Sequence, residues 1–257
     1  MIVKFKETTV FYTDTGKGNS VVLLHGFLEN NTMWNTVVEK ISKRNRVICI
    51  DLLGHGKTGS IGYIHSMEEM AEAVKTVLQE LKIRRAIFIG HSMGGYVALA
   101  FAEKYLKNVK GLCLLNSTSQ ADSEERKKLR LRANEMAKEN YETLVKMSIG
   151  NLFAEQTREQ FSEVIDKIRI EALKTPVRGY IAASEGMRLR ENKEEVLQTI
   201  DKRLMIAGKQ DSILSYESVV KESNRTNTPL VELPNGHMSH IEAKEELLEA
   251  LTNFVKS

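Results

Sequence analysis

An α/β fold with a mostly parallel sheet flanked by helices, interrupted by a helical insertion, follows from three features of this sequence. Short apolar runs alternate with amphipathic stretches, the pattern of successive β-α units. Those runs are nearly continuous rather than alternating with polar residues, which suits strands covered on both faces. Between residues 120 and 198 no such run appears, and long polar helical stretches succeed one another.

The first run, residues 3–12, reads as one strand leading into the turn Asp14-Thr15-Gly16-Lys17-Gly18, and residues 21–24 as a buried strand ending at His25-Gly26. Further strands are expected at 46–50, 85–89, 109–115, 203–206 and 230–233. Met67, Met70, Ala71, Val74, Val77, Leu78 and Leu81 share one helical face, and Ser66 with Glu69 has the spacing of a capping box at its start. Within the insertion, 123–140 and 157–173 read as helices whose mixed charges mark solvated faces. Ser239 and Glu242 have capping-box spacing too, which would make His240 the first residue of the final helix. The expected organisation is a core of residues 1–119 and 199–257 with a helical cap, residues 120–198, between its two parts.

Composition excludes several classes of function. Hydrophobic residues at 42% with 28% charged, three prolines and sixteen glycines argue against disordered or collagen-like structure, and 257 residues are enough for a large core. Lys and Arg exceed Asp and Glu by 37 − 34 = 3, too even a balance for the basic stripe that nucleic acid or an anionic membrane requires, so neither partner is expected. No stretch approaches the roughly 18 apolar residues of a membrane span. The first residues, with Lys4, Lys6 and Glu7, lack the apolar segment of a signal peptide, and a cytoplasmic location is expected. Cys49 and Cys113 each sit in a short apolar run, where a thiol packs, and no disulfide is expected.

The sharpest chemical signal is Gly90-His91-Ser92-Met93-Gly94, directly after the strand Ala86-Ile87-Phe88-Ile89 and directly before a helical pattern over 96–105. A sharp strand-to-helix turn projects a serine oxygen into a cleft, the glycines remove side chains that would clash, and the helix start offers amides to an anionic intermediate. A serine hydroxyl is a weak nucleophile and needs a base held by a third group. Asp211 lies just beyond the strand at 203–206 and His237 just beyond the strand at 230–233, so the chain order is Ser, Asp, His, as expected for a nucleophile turn in a parallel sheet. Taken singly, an Asp after a strand is a turn former and a loop His is solvated; the three together point to Ser92, Asp211 and His237 as a catalytic set.

The chain resembles the α/β-hydrolase fold superfamily, in its small, cap-bearing, esterase-like branch. The matching residues are His25-Gly26-Phe27, Asp51-Leu52-Leu53-Gly54-His55-Gly56, the turn from Gly90 to Gly95, and Gly236-His237. The resemblance implies eight strands in the order 1-2-4-3-5-6-7-8, and an oxyanion hole made by the backbone amides of Phe27 and Met93. That order puts Cys49 and Cys113 three strands, about 14 Å, apart, beyond the reach of a disulfide. It also sets aside dehalogenase and epoxide hydrolase chemistry, because Ser92 stands where those relatives carry an aspartate. Asn116 ends the strand where some relatives place the acid, and an amide cannot be that anion. Relatives that cleave carbon-carbon bonds show a glycine-rich stretch where this chain has Phe27-Leu28-Glu29-Asn30, which favours esters.

Two other motifs fail on context. Gly54-His55-Gly56-Lys57-Thr58-Gly59 has nucleotide-binding spacing, but no helix follows until Ser66, and Asp51 stands where a P-loop needs its first glycine. His237 and His240 have metal-ligand spacing without the further ligands zinc requires, so no metal and no other cofactor are expected. Met136, Met147 and Met187 suit either a pocket lining or plain cap core. The expected activity is hydrolysis of a small-molecule carboxylic ester by a monomer or homodimer. The alternatives are a lyase, synthase or carbon-carbon bond hydrolase on the same site, or a non-catalytic ligand receptor.

Overall fold

The computed structural model describes residues 1–256. Its eight strands are β1 (Ile2–Phe5), β2 (Thr8–Thr15), β3 (Asn19–Leu24), β4 (Asn45–Ile50), β5 (Ala86–His91), β6 (Val109–Leu115), β7 (Arg203–Gly208) and β8 (Leu230–Leu233). They form one sheet in the order β1-β2-β4-β3-β5-β6-β7-β8, antiparallel at β1-β2 and β2-β4 and parallel from β4 to β8. This is the order implied by the resemblance. The run 3–12 is two strands rather than one, because the chain reverses at Lys6, whose φ of +51° makes a hairpin turn that no glycine announces.

Among the described residues, eleven α-helices connect or extend the strands: α1 (Asn35–Ile41), α2 (Met67–Glu80), α3 (Met93–Tyr105), α4 (Glu124–Glu139), α5 (Tyr141–Gly150), α6 (Ser162–Ala172), α7 (Val177–Leu189), α8 (Glu194–Gln198), α9 (Tyr216–Thr226), α10 (Ser239–Glu242) and α11 (Lys244–Lys256). Strand residues send alternate side chains to opposite faces. Val22, Leu24, Ile48, Ile50 and Phe88 therefore pack with α2 and α3, while Val21, Leu23, Val47, Cys49 and Ile89 pack with α1 and α11. Burial on both faces explains the continuous apolar runs. Cys49 and Cys113 are free and buried.

Ser66 caps α2, its Oγ accepting from the amide of Glu69 at 3.0 Å, but the box is half made: the Glu69 carboxylate turns instead to Lys6 Nζ at 2.6 Å. The expected final capping box does not form. Ser239 Oγ donates to the Gly236 carbonyl, α10 is a single turn, and the last long helix starts at Lys244. None of the helices among the described residues is long and apolar enough to cross a membrane.

Between β6 and β7 the chain is helical throughout its regular structure, in α4 to α8. The helix expected at 157–173 begins only at Ser162, after a short 3-10 turn. Leu144, Val145, Ile149, Phe153, Ile165 and Tyr180 gather into a separate apolar cluster that also takes Leu28 and Met238 from loops at the sheet's carboxyl edge. Those contacts seat the inserted helices over that edge, where ligands of open α/β sheets bind.

Candidate active site

At the end of β5 the chain turns abruptly into α3, and Ser92 takes φ 49° and ψ −115°, a combination outside the ordinary regions for a residue with a side chain. Such a conformation costs about 1–3 kcal/mol and persists only when its surroundings enforce it. They do so here. Ser92 N donates to Leu115 O at 2.9 Å, and its carbonyl accepts from Gly95 N at 2.9 Å and from Ser117 Oγ at 2.7 Å. A Cβ on Gly90 would strike the backbone of Gly94, and one on Gly94 the carbonyl of Leu24. The glycines of the motif thus let the helix start against β3 and β5 with the serine at the crest.

Asp211 and His237 come from the loops after β7 and β8, and they meet: His237 Nδ1 lies 2.7 Å from Asp211 Oδ2. The other carboxylate oxygen, Oδ1, accepts the amides of Ile213 at 2.8 Å and Leu214 at 3.0 Å. Burial works to raise the Asp211 carboxyl, but the charge and hydrogen bond of His237, with help from Leu214 and Asn116, hold it below the usual carboxylate range. Asn116 donates to Asp211 Oδ2 at 3.1 Å. The residue set aside as an acid is therefore a partner of the acid, a role that its identity alone does not show.

Ser92 and His237 line one cavity of about 230 Å³, bordered also by Phe27, Tyr96, Leu152, Met187 and Ile213. No hydrogen bond joins Ser92 Oγ to His237 among the described residues; contacts of this kind are often loose in the absence of substrate. Of the three cap methionines, Met187 lines the cavity, whereas Met136 and Met147 are exposed.

Phe27 follows His25-Gly26 at the end of β3, and its amide, like that of Met93 at the first position of α3, donates to no other group among the described residues. The loop is fastened from behind. His25 Nε2 accepts from Leu52 N at 2.9 Å, and Gly26 N donates to Glu29 Oε2 at 2.6 Å. The ring of Phe27 leans on Tyr180 of α7, with centroids 4.7 Å apart.

Glu29 and His91 form a buried pair that spacing in the sequence does not reveal. Glu29 Oε2 lies 2.7 Å from His91 Nδ1, and His91 Nε2 lies 3.0 Å from the carbonyl oxygen of His237. An imidazolium donates at both nitrogens, so the pair ties the loop of Phe27 to the loop of His237. Burial pushes the Glu29 carboxyl up, but His91, with smaller help from His240 and His25, brings it down to about 2. Burial likewise pushes His91 down, yet Glu29 prevails and its imidazole lies above the usual 6.5. The Glu29 contribution to stability is present above 4.5 and lost as pH falls toward 2; that of His91 is present below 6.5 and lost as pH rises through its raised value. Glu29→Gln is therefore expected to cost about 3 kcal/mol, the scale for breaking a buried pair. In thermal melts from acid to alkaline pH, the deficit against wild type should be largest between 4.5 and 6.5. A deficit independent of pH would show that the pair is not ionised.

His240 lies on the far side of His91, with ring centroids 5.6 Å apart, and not beside Ser92. Burial lowers its imidazole to about 4. His237 Nδ1 lies against Asp211, while His240 gathers instead with Glu29 and His91, their nitrogen and oxygen atoms within 4.8 Å of one another. At the glycine-rich loop 54–59, Asp51 Oδ2 accepts Lys57 N at 2.8 Å and no helix follows until Met67, so the loop presents no anion cradle.

A sequence profile of the alpha/beta hydrolase fold matches residues 19–244. The chain belongs to the α/β-hydrolase fold family. Among solved structures, the chain is similar to a thermophilic esterase from Thermogutta terrifontis with malate bound: 32% identity, a TM-score of 0.91, and coverage of 97% of this chain and 93% of that one. Among curated sequences, an uncharacterised Mycobacterium tuberculosis protein is 37% identical over 102 residues, 40% of this chain and 30% of that protein. The 2-hydroxy-6-oxo-2,4-heptadienoate hydrolase of Pseudomonas putida is 35% identical over 108 residues, 40% of this chain and 39% of that enzyme. The alignment thus spans about a third of the length of these curated relatives.

Proposed function

We propose that this α/β-hydrolase cleaves carboxylic esters through an acyl-enzyme on Ser92. His237 takes the Ser92 proton as Oγ attacks the ester carbonyl, and Asp211, bonded to Nδ1, holds the imidazole in the tautomer that leaves Nε2 free. The negative charge that develops on the carbonyl oxygen is held by the amides of Phe27 and Met93. His237 returns the proton to the departing alcohol, and water, activated by the same imidazole, then releases the acid. The steps use side chains, backbone amides and water alone.

The observation that carries this reading is the strained Ser92 turn facing the cavity shared with a His237 already paired to Asp211. The esterase likeness over nearly the whole chain supports it. The likeness to a 2-hydroxy-6-oxo-2,4-heptadienoate hydrolase supports a second reading on the same residues, carbon-carbon bond hydrolysis, in which the attacked carbonyl belongs to a ketone. A panel of esters of increasing acyl length, run beside a vinylogous diketone and beside Ser92→Ala, separates the two. Ester turnover with burst kinetics that Ser92→Ala abolishes is the expected result; turnover of the diketone alone would move the assignment.

Phe27 tests the oxyanion contact. Phe27→Leu keeps the amide and is expected to lower kcat/KM less than about tenfold, whereas Phe27→Pro removes the N–H and is expected to lose on the order of 10²–10³-fold. Equal losses, measured on one activated ester, would show that the ring against Tyr180 matters and the amide does not.

A further inference from the structure

The cavity that holds Ser92 is bordered on its cap side by two arginines of α4, Arg126 and Arg130. Arg130 and Arg190 share one carboxylate, that of Asp122: Arg130 bonds Asp122 Oδ2, and Arg190 Nη1 bonds Oδ1 at 2.7 Å. Arg190 also lies over the ring of Tyr96, its guanidinium carbon 3.8 Å from the centroid. Arg126 has no side-chain hydrogen bond or ion pair among the described residues; only its backbone amide is engaged, donating to Ser123 Oγ at 3.2 Å. Three guanidiniums thus stand round a single buried carboxylate, leaving two positive charges uncompensated.

No other acid supplies the balance. Glu29, the one carboxylate among the described residues that line the cavity, is taken by His91. Glu185 of α7 bonds Arg188 at 2.7 Å and Asn134 at 2.7 Å. Glu222 of α9 is buried with its oxygens on Ser119 and Thr118, and burial raises its carboxyl toward the neutral form. Glu124 and Glu125 at the start of α4 are exposed. Arg126 also borders a second cavity of about 210 Å³ that shares Tyr96 and Ile213 with the first, so it lies on the edge the two cavities have in common.

We infer that the substrate carries a second, ionised carboxylate and that Arg126, backed by Arg130, binds it, which makes this a hydrolase of monoesters of dicarboxylic or hydroxy acids. The guanidinium fork matches a carboxylate with two parallel hydrogen bonds, and a partly desolvated cation without a counter-ion gains most from such a partner. A neutral ester of the same length leaves Arg126 unpaired on binding, so the arginine selects for the anionic substrate as well as holding it. The inference rests on the ester-hydrolase reading for its chemistry, while the anion site is tested without it.

The experiment compares 4-nitrophenyl hydrogen glutarate with 4-nitrophenyl pentanoate, and 3-(butyryloxy)benzoate with phenyl butyrate, so that the carboxylate lies on the acyl or on the alcohol side. At least one anionic member is expected to be preferred in kcat/KM. Arg126→Gln is expected to lower that preference by about 10- to 100-fold, the scale of a lost charge-assisted hydrogen bond, and Arg126→Lys to restore part of it. In parallel, the heat of glutarate binding is measured on Ser92→Ala with and without Arg126→Gln. Binding that depends on Arg126, without turnover of any ester, would support the anion site and overturn the ester reading. Neutral esters preferred in both pairs, or a preference and glutarate binding that survive Arg126→Gln, would overturn the inference.

Discussion

Ser92→Ala is expected to lower kcat on an activated ester by on the order of 10⁴-fold or more while leaving the melting temperature close to wild type. The chemical loss is complete because no other hydroxyl is presented at the crest of the β5-α3 turn. The structural loss is small for three reasons. The backbone bonds of residue 92 to Leu115, Gly95 and Ser117 do not involve its hydroxyl. Alanine keeps the Cβ already accommodated at φ 49°. No buried donor or acceptor is orphaned, since Ser92 Oγ has no hydrogen bond to a neighbour among the described residues. A variant that retained turnover would remove the nucleophile from the mechanism.

The second large effect separates the two neighbouring histidines. His237→Ala is expected to lose activity about as fully as Ser92→Ala, and Asp211→Asn to lose a similar order, since the amide favours the wrong imidazole tautomer. His240→Ala should lose about tenfold or less. The reason lies in position. His237 borders the cavity with Ser92 and holds Asp211 at 2.7 Å, whereas His240 faces Glu29 and His91 behind the loop and is driven toward its neutral form, to about 4, by burial. A helix start at His240 plays no part in this ranking, because α10 is a single turn without the expected cap on Ser239. Comparing kcat of the variants on one ester decides the matter, and the reverse ranking would make His240 the base.

The centre of the sheet was legible because both its faces are buried: a strand covered twice has little polar alternation, and β3 to β7 announce themselves as apolar runs, whereas the edge strand β8 is half-exposed and carries the exposed Glu232. The break at Lys6 was not legible, since a non-glycine residue with positive φ leaves no compositional trace. The candidate triad was legible from position, each member following a strand. Its supports were not. Glu29 meets His91 across 62 residues of chain and Asn116 meets Asp211 across 95, so only the fold brings them together. The arginines of α4 read as members of a solvated helical face, and only the seating of the insertion over the sheet edge turns two of them toward the cavity. Helix ends in the insertion were the least legible part, because 3-10 turns and short connectors there lack strong capping residues.

Mass analysis after exposure to a fluorophosphonate tests the central claim most directly, since the reagent traps a serine only when a base and an oxyanion site activate it. The mechanism predicts one phosphonyl group per chain, mapped to the peptide containing Ser92, absent in Ser92→Ala and strongly slowed in Asp211→Asn. Ester hydrolysis by a chain that stays unlabelled at Ser92, or equal labelling of the Ser92→Ala chain, would contradict it.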